Sequence, residues 1–296
     1  LPAVPVTPDP AAPAALVARL RAAGCVFAED EAALLVAEAP DATALDAMTA
    51  RRVAGEPLEQ VVGWAEFRGL RIGVEPGVFV PRARTGLLVR EAVRTLGSRR
   101  AGWTTARTGR AESSGPAGGG DPVVVDLCCG TGAVGLAIAA EHPGVALWAA
   151  DLDPAAVACA RRNVAALGPA AGLAAATVLL GDLDAPLPAA LEGRVDVLVA
   201  NAPYVPTAEI AHMPAEARDH EPRAALDGGT DGVDLHRRMA AAAPRWLAPG
   251  GHLLIETSVR QAGATAAACE GQGLAVRVVH DDDLDGTVVV ATRRPA

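Results

Sequence analysis

Val123-Val124-Val125-Asp126-Leu127-Cys128-Cys129-Gly130-Thr131-Gly132-Ala133-Val134-Gly135 is the stretch from which the fold can be read. A β-branched run ending in Asp126 predicts a strand, and the Ala/Leu/Ile residues of Ala133–Ala140 predict a helix. The loop between them is rich in Gly, so a ligand can approach bare main chain. The same residues contain a G-x-G-x-x-G, the pattern of a dinucleotide site. There the pyrophosphate sits where loop meets helix, and the Asp126 carboxylate would repel it. A carboxylate in that place suits a ligand carrying an ammonium group. Without any ligand, the stretch is an ordinary strand–turn–helix.

Downstream, strands are expected at Val123–Leu127, Ala146–Ala150, Thr177–Leu180, Val195–Ala200 and His252–Thr257. Helices are expected at Ala133–Glu141, Pro154–Leu167, Asp231–Trp246 and Arg260–Gln272, with Pro154 in a first turn and Gly168 past an end. Such alternation gives a parallel sheet covered on both faces. Leu274–Val279 and Thr287–Ala291, joined through the acidic turn Asp281–Gly286, must pair antiparallel. The fold class is α/β: a doubly wound, mostly parallel seven-stranded sheet closed by an antiparallel C-terminal hairpin.

Upstream, residues 1–13 are Pro-rich and expected to be loose. Ala14 to about Ala54 reads as three short helices with an apolar stripe of Leu16, Leu20, Ala23, Ala33, Leu34, Ala37, Leu45 and Met48. Gly55-Glu56-Pro57 breaks the pattern, and Trp64–Phe67, Gly69–Val74 and Val78–Val80 read as hairpin strands. Pro81-Arg82-Ala83-Arg84-Thr85 is a rigid turn in which Thr85 is expected to N-cap a helix running to about Leu96. Residues 98–121, rich in Gly, Ser and Arg, read as a flexible linker. Arg99, Arg100, Arg107 and Arg110 could make it a nucleic-acid tether, though a solvated insertion is the simpler reading. The chain thus divides into 1–97, a helical domain plus hairpin; 98–121, the linker; and 122–296, the sheet domain.

The 296 residues carry a net charge of −9, which argues against an extended phosphate-gripping surface. Every basic residue is Arg, and the abundance of Ala, Gly and Pro points to coding bias rather than function. Five cysteines (Cys25, Cys128, Cys129, Cys159, Cys269) without ligand spacing fit reduced thiols in a cytoplasmic protein and no metal site. The first residues lack the pattern of a signal peptide, and no apolar run is long enough to cross a bilayer. His142, His212, His220, His236, His252 and His280 are dispersed and read as structural or exposed.

In open α/β sheets the ligand lies beyond the carboxyl ends of the strands, where strand order reverses. The first of these ends offers Asp126 and the loop Gly130-Thr131-Gly132. The second offers Asp151, placed to accept from two ribose hydroxyls; Asp153 is the better helix-capping acid. The third offers Asp182 for an exocyclic amine and Leu183 against a base ring. S-adenosylmethionine (SAM) has the ammonium, the ribose and the adenine that this set matches. The fourth ends in Asn201-Ala202-Pro203-Tyr204. An amide or ring-amine nitrogen is a poor nucleophile because its lone pair is delocalised. Two acceptors on its N–H groups orient that lone pair and stabilise growing positive charge. The Asn201 side-chain carbonyl and the Ala202 main-chain carbonyl are those acceptors, with Asn201 also beside the cofactor. Pro203 holds Ala202 extended, and Tyr204 supplies a flat wall. Glu256, at another strand end, either lines the pocket or caps a helix.

Together these residues resemble the N5-glutamine methyltransferases of peptide chain release factors. The resemblance covers Gly55-Glu56-Pro57, Gly63, Phe67, Phe79-Val80-Pro81-Arg82 and Thr85. It continues through Asp126, Gly130-Thr131-Gly132, Asp151, Asp182, Asn201 and Pro203-Tyr204 to Glu221-Pro222-Arg223, Leu226, Gly229, Asp231-Gly232 and Leu247-Pro249-Gly250-Gly251. It implies the SAM-dependent methyltransferase fold, SAM as cofactor, and a protein substrate, the Gly-Gly-Gln of a release factor. It also implies substrate binding by the N-terminal domain with the turn Pro81, Arg82 and Thr85; separately, a monomer is expected. The chain departs from the family at Ala202, where a first Pro is usual, at Gly86, where an acid is usual, and in its longer 98–121 insertion. None of these removes a group that the chemistry needs. Methylation of adenine or cytosine amines in nucleic acid uses a similar Asn/Asp-Pro-Pro-aromatic motif and stands as the alternative, opposed by the acidic charge. A SAM-binding module without catalysis stands third.

Overall fold

The computed structural model describes residues 14–106 and 121–295. Four helices come first: α1 (Ala14–Ala22), α2 (Ala28–Glu38), α3 (Ala42–Val53) and α4 (Leu58–Val62). Asp41 caps α3 by accepting from the Ala44 N–H at 2.8 Å. Leu16, Leu20, Ala28, Ala32, Leu35 and Val61 form their own small core, with Leu45 and Met48 packed against it. The expected stripe holds at Leu16 and Leu20 of α1 and in α3, but Ala23 is exposed past the end of α1, and the stripe is out of phase in α2, where Ala33 and Ala37 are exposed. In an Ala-rich helix the contrast between faces is too weak to fix the phase.

A two-stranded antiparallel hairpin follows, β1 (Trp64–Phe67) and β2 (Leu70–Gly73). Val78–Val80, expected as a further strand, is irregular, with Val78 and Val80 buried. An apolar run punctuated by Gly77 was the signal there, and a buried turn carries such a run as well as a strand does. After the Pro81 turn, α5 runs Gly86–Ala106, ten residues past the expected end and into the segment read as linker. Isolated glycines such as Gly97 and Gly102 are tolerated in a helix whose other residues favour it. Residues 107–120, the rest of that segment with Arg107 and Arg110, lie outside the described residues. Phe67, Ile72, Leu87, Leu88, Val89 and Leu96 join the core of the sheet rather than that of α1–α4. Within 1–97, expected as one unit, the described residues from 14 onward therefore contribute to two cores.

The sheet domain contains β3 (Val123–Leu127), α6 (Ala133–Glu141), β4 (Ala146–Asp151), α7 (Pro154–Leu167) and β5 (Ala175–Leu180). It continues with β6 (Val195–Ala200), the short helix α8 (Ala215–His220), α9 (Asp234–Trp246), β7 (Leu247–Thr257), α10 (Val259–Glu270), β8 (Ala275–Asp281) and β9 (Gly286–Thr292). Strand order is β5-β4-β3-β6-β7-β9-β8, parallel from β5 through β7, with β9 antiparallel to both β7 and β8. The expected seven-stranded sheet with its C-terminal hairpin is present. Order reverses between β3 and β6, so the crevice opens where Asp126 and Asn201 end their strands.

Candidate active site

A cleft of about 810 Å³ lies at that reversal point. Its wall contains Asp126, Gly130, Thr131, Asp151, Asp182, Leu183, Asn201, Ala202, Pro203, Tyr204, Pro81, Arg82 and Thr85. Of the expected site residues only Gly132 stays out of the wall. It turns the chain with φ +77° into α6, and Gly130 has φ +54°. A Cβ on Gly135 would stand 2.7 Å from the Leu147 side chain, so the third glycine of the motif sets the approach of α6 to the sheet.

The acids are held by main chain. Asp126 is 1 % exposed and accepts from the Gly135 N–H at 3.0 Å. Burial pushes its carboxyl up to about 7, against the pull of that N–H. Asp151 accepts from Gly130 N at 2.8 Å and from Asp153 N at 2.9 Å, so it pins the glycine loop to the end of β4. Burial raises it as well, with the two N–H groups opposing. Each carboxylate oxygen keeps a second lone pair for a hydroxyl. Asp153 caps α7 through Ala155 N at 2.8 Å, as expected. Asp182, at the rim, pairs with Arg238 at 2.8 Å, and Leu183 is buried with φ +48°.

Across the cleft, Asn201 Nδ2 donates to Thr85 Oγ1 at 3.1 Å. This corrects the expectation for Thr85: it stands just before α5, but its hydroxyl is turned to Asn201 instead of the helix N-terminus. With the NH₂ thus engaged, Oδ1 is left facing the cleft, and among the described residues no group donates to it or to the Ala202 carbonyl. The Asn-Ala-Pro-Tyr loop is buttressed from behind. Gln261 Nε2 donates to the Tyr204 carbonyl at 2.6 Å and to the Asp231 carbonyl at 3.0 Å. Gly228 abuts Pro203 and Tyr204. The Tyr204 phenol is pushed up by burial and by Glu256, and pulled back by Arg84. Arg82 pairs with the buried Glu221 and lies over the Phe79 ring at 5.4 Å. Glu256 neither lines the cleft nor caps a helix: α10 has Ser258 at its N-cap with no side-chain bond.

Asn163, Gln261, Gly228 and Arg84 were not singled out from the sequence. Asn163, on α7, accepts from Gly73 N at 2.9 Å and donates to the carbonyls of Gly73 and Thr131 at 2.9 Å each, joining the hairpin to the glycine loop. An Asn inside an otherwise apolar helix face was the available signal. All five cysteines are free; burial pushes Cys159 up to about 11 and Cys269 up to about 12. No helix among the described residues is long and apolar enough to cross a membrane.

Comparison with known proteins agrees with this geometry. The model of the methyltransferase small domain family matches residues 120–220. The chain is 36% identical to a release factor glutamine methyltransferase of Cereibacter sphaeroides, over 95% of this chain and 97% of that protein. It is 37% identical to one from Geobacter sulfurreducens, over 73% of this chain and 65% of that protein. It is also 35% identical to a 4-amino-L-phenylalanine/4-methylamino-L-phenylalanine methyltransferase of Streptomyces pristinaespiralis, over 75% of this chain and 68% of that protein.

Proposed function

The chain belongs to the release factor glutamine methyltransferases, and from that premise we propose that it methylates the N5 amide of a glutamine in a peptide chain release factor. One observation supports this most: Thr85 takes the Asn201 NH₂, so that Asn201 Oδ1 is free as an acceptor beside the Ala202 carbonyl. Two adjacent carbonyl oxygens match the two N–H bonds of a primary amide. By accepting both, they orient the nitrogen lone pair and stabilise the charge that nitrogen gains, without a strong base. The glutamine is that of the Gly-Gly-Gln tripeptide, its planar amide lying on Tyr204.

The residues fit SAM. Asp126 would hold its ammonium group, Gly130-Thr131-Gly132 its amino-acid end, Asp151 its ribose, and Asp182 with Leu183 its adenine. Bound SAM supplies an electrophilic methyl group. The chain's own contribution is to hold the acceptor amide in line and to exclude water with the Pro81 turn and the segment from Met213 to Leu226 that covers the cleft. The free thiols support a cytoplasmic location.

Incubation of the protein with labelled SAM and purified release factors, read by peptide mass spectrometry, tests the reading. A single methyl on the Gly-Gly-Gln glutamine is expected. Label in RNA or DNA instead would replace the substrate class. 4-Amino-L-phenylalanine is the further control that the Streptomyces relative requires. Asn201→Ala should lower kcat roughly 10²- to 10³-fold, while S-adenosylhomocysteine affinity by calorimetry stays within a few-fold.

A further inference from the structure

Glu256 stands at the end of β7, 1 % exposed, and neither carboxylate oxygen has a hydrogen bond of full geometry. A buried carboxylate left bare is costly, so its presence here calls for a reason. Three groups from other elements face it. Burial pushes its carboxyl up, and the Thr85 hydroxyl and the Arg84 guanidinium, with Nε 3.5 Å from Oε1, pull it back, while the Tyr204 phenol lies close enough to feel it. The Thr85 and Arg84 contacts are near enough to act electrostatically but fall short of normal hydrogen-bond geometry.

Thr85 connects this carboxyl to the acceptor. A threonine hydroxyl has one proton and two lone pairs, so it can serve either end of an amide. The two ends of Asn201 are nearly the same size and shape. Thr85 by itself therefore does not distinguish the useful orientation of Asn201 from the flipped one. In the flipped one, Thr85 donates to Oδ1, and Nδ2 meets the substrate's N–H groups head-on. A carboxylate removes this ambivalence, because it has no proton to give.

We propose that Glu256 is a positioning residue that acts through Thr85: it draws the Thr85 proton to itself, leaving only lone pairs for Asn201 and so fixing Oδ1 toward the substrate amide. Arg84 favours the ionised form of Glu256, which that role needs, against the burial that opposes it. This deepens the functional reading above and rests on Asn201 being the amide acceptor.

The test is kinetics on full-length protein with a release factor and SAM, for Glu256→Gln, Glu256→Leu, Thr85→Val, Thr85→Ser and the Thr85→Val/Glu256→Leu pair. Thr85→Val and Glu256→Leu should each lower kcat roughly 10- to 100-fold, with KM for the release factor and S-adenosylhomocysteine affinity within about threefold. The double variant should be no slower than the slower single one, since both changes break one relay. Thr85→Ser, which keeps the hydroxyl, should recover most of the loss. Unchanged kcat in Glu256→Gln and Glu256→Leu, or losses that multiply in the double variant, would overturn the proposal. If Glu256→Leu does not fold, the isosteric Glu256→Gln carries the test, with an expected loss of severalfold. A second readout needs no turnover: the side-chain ¹⁵N–¹H₂ resonances of Asn201, assigned by their absence in Asn201→Ala, should move in Glu256→Gln. If they stay put, the relay is refuted. If wild-type protein transfers no methyl to a release factor, the functional reading alone fails, and the resonances still report on the relay.

Discussion

A Cβ at position 228 would stand 2.7 Å from the Tyr204 Cα and 2.8 Å from the Pro203 carbonyl oxygen. Those are main-chain atoms of the acceptor loop, which cannot give way as a flexible side chain can. Gly228→Ala should therefore displace the loop and lower kcat on the order of 10²-fold, with S-adenosylhomocysteine affinity nearly unchanged; equal turnover would show that the loop has slack. Asp126 sets a different dependence. Burial raises its carboxyl to about 7, so near pH 7 the ligand-free site is split between protonated and ionised forms. An ammonium group prefers the ionised form. Binding then releases protons, and S-adenosylhomocysteine affinity should rise with pH, about tenfold from pH 6 to pH 8. The sign for stability is the reverse. The native state holds this proton up to about 7 and the unfolded chain only to about 4, so Asp126 withdraws stability from the ligand-free protein as pH rises between those values. Asp126→Asn should flatten both dependences. Calorimetry and thermal melts across that pH range measure them.

At the scale of elements, Asn163 is the sole residue of α7 that bonds both the β1–β2 hairpin and the glycine loop in the described contacts. Asn163→Ala leaves the half-buried Gly73 N–H and the buried Thr131 carbonyl without that partner. Three lost bonds of about 1 kcal/mol each put the cost at about 2–4 kcal/mol. A fall in Tm of roughly 5–10 °C, together with weaker S-adenosylhomocysteine binding, is expected; a stable variant that binds normally would make the clamp incidental. The same element shows what could be read from the sequence. β3 and β6 were legible because burial on both faces writes β-branched runs. Asp126, Asp151 and Asn201 were legible because strand ends face the ligand. Asn163, Gln261 and Gly228 were not, since their partners are main-chain groups of distant segments, set by how elements dock and not by any local pattern. The end of α5 was missed for the opposite reason: Gly, Ser and Arg suggested a linker, while the helix already begun at Gly86 carried through them.

On the scale of the whole molecule, the two cores decide what can be removed. The hairpin and α5 contribute Phe67, Ile72, Leu87, Leu88 and Leu96 to the sheet's core, whereas α1–α4 bury their apolar residues among themselves. The small core is moored to the rest mainly by polar contacts. Gln60 donates to the Val78 carbonyl at 3.2 Å, and Arg52 bridges Glu31 of α2 to Glu216 of α8, which covers the cleft. The turn between α1 and α2 exposes two apolar side chains, Val26 at 83 % and Phe27 at 68 %, and Phe27 lines a shallow depression that shares Glu216 with the cleft. A protein substrate reaching the cleft would meet that surface. Deleting residues 1–62 should leave a folded sheet domain that binds S-adenosylhomocysteine within several-fold of the full chain. Its kcat/KM on a release factor should fall on the order of 10²-fold, because lost docking contacts of about 3 kcal/mol correspond to that factor, with the change carried by KM. Deleting residues 1–121 would also strip α5 and the hairpin from the large core and should yield insoluble protein. If both truncations behave alike, α1–α4 are part of the fold's stability and not a docking unit; circular dichroism, calorimetry and the KM-to-kcat split decide between the two.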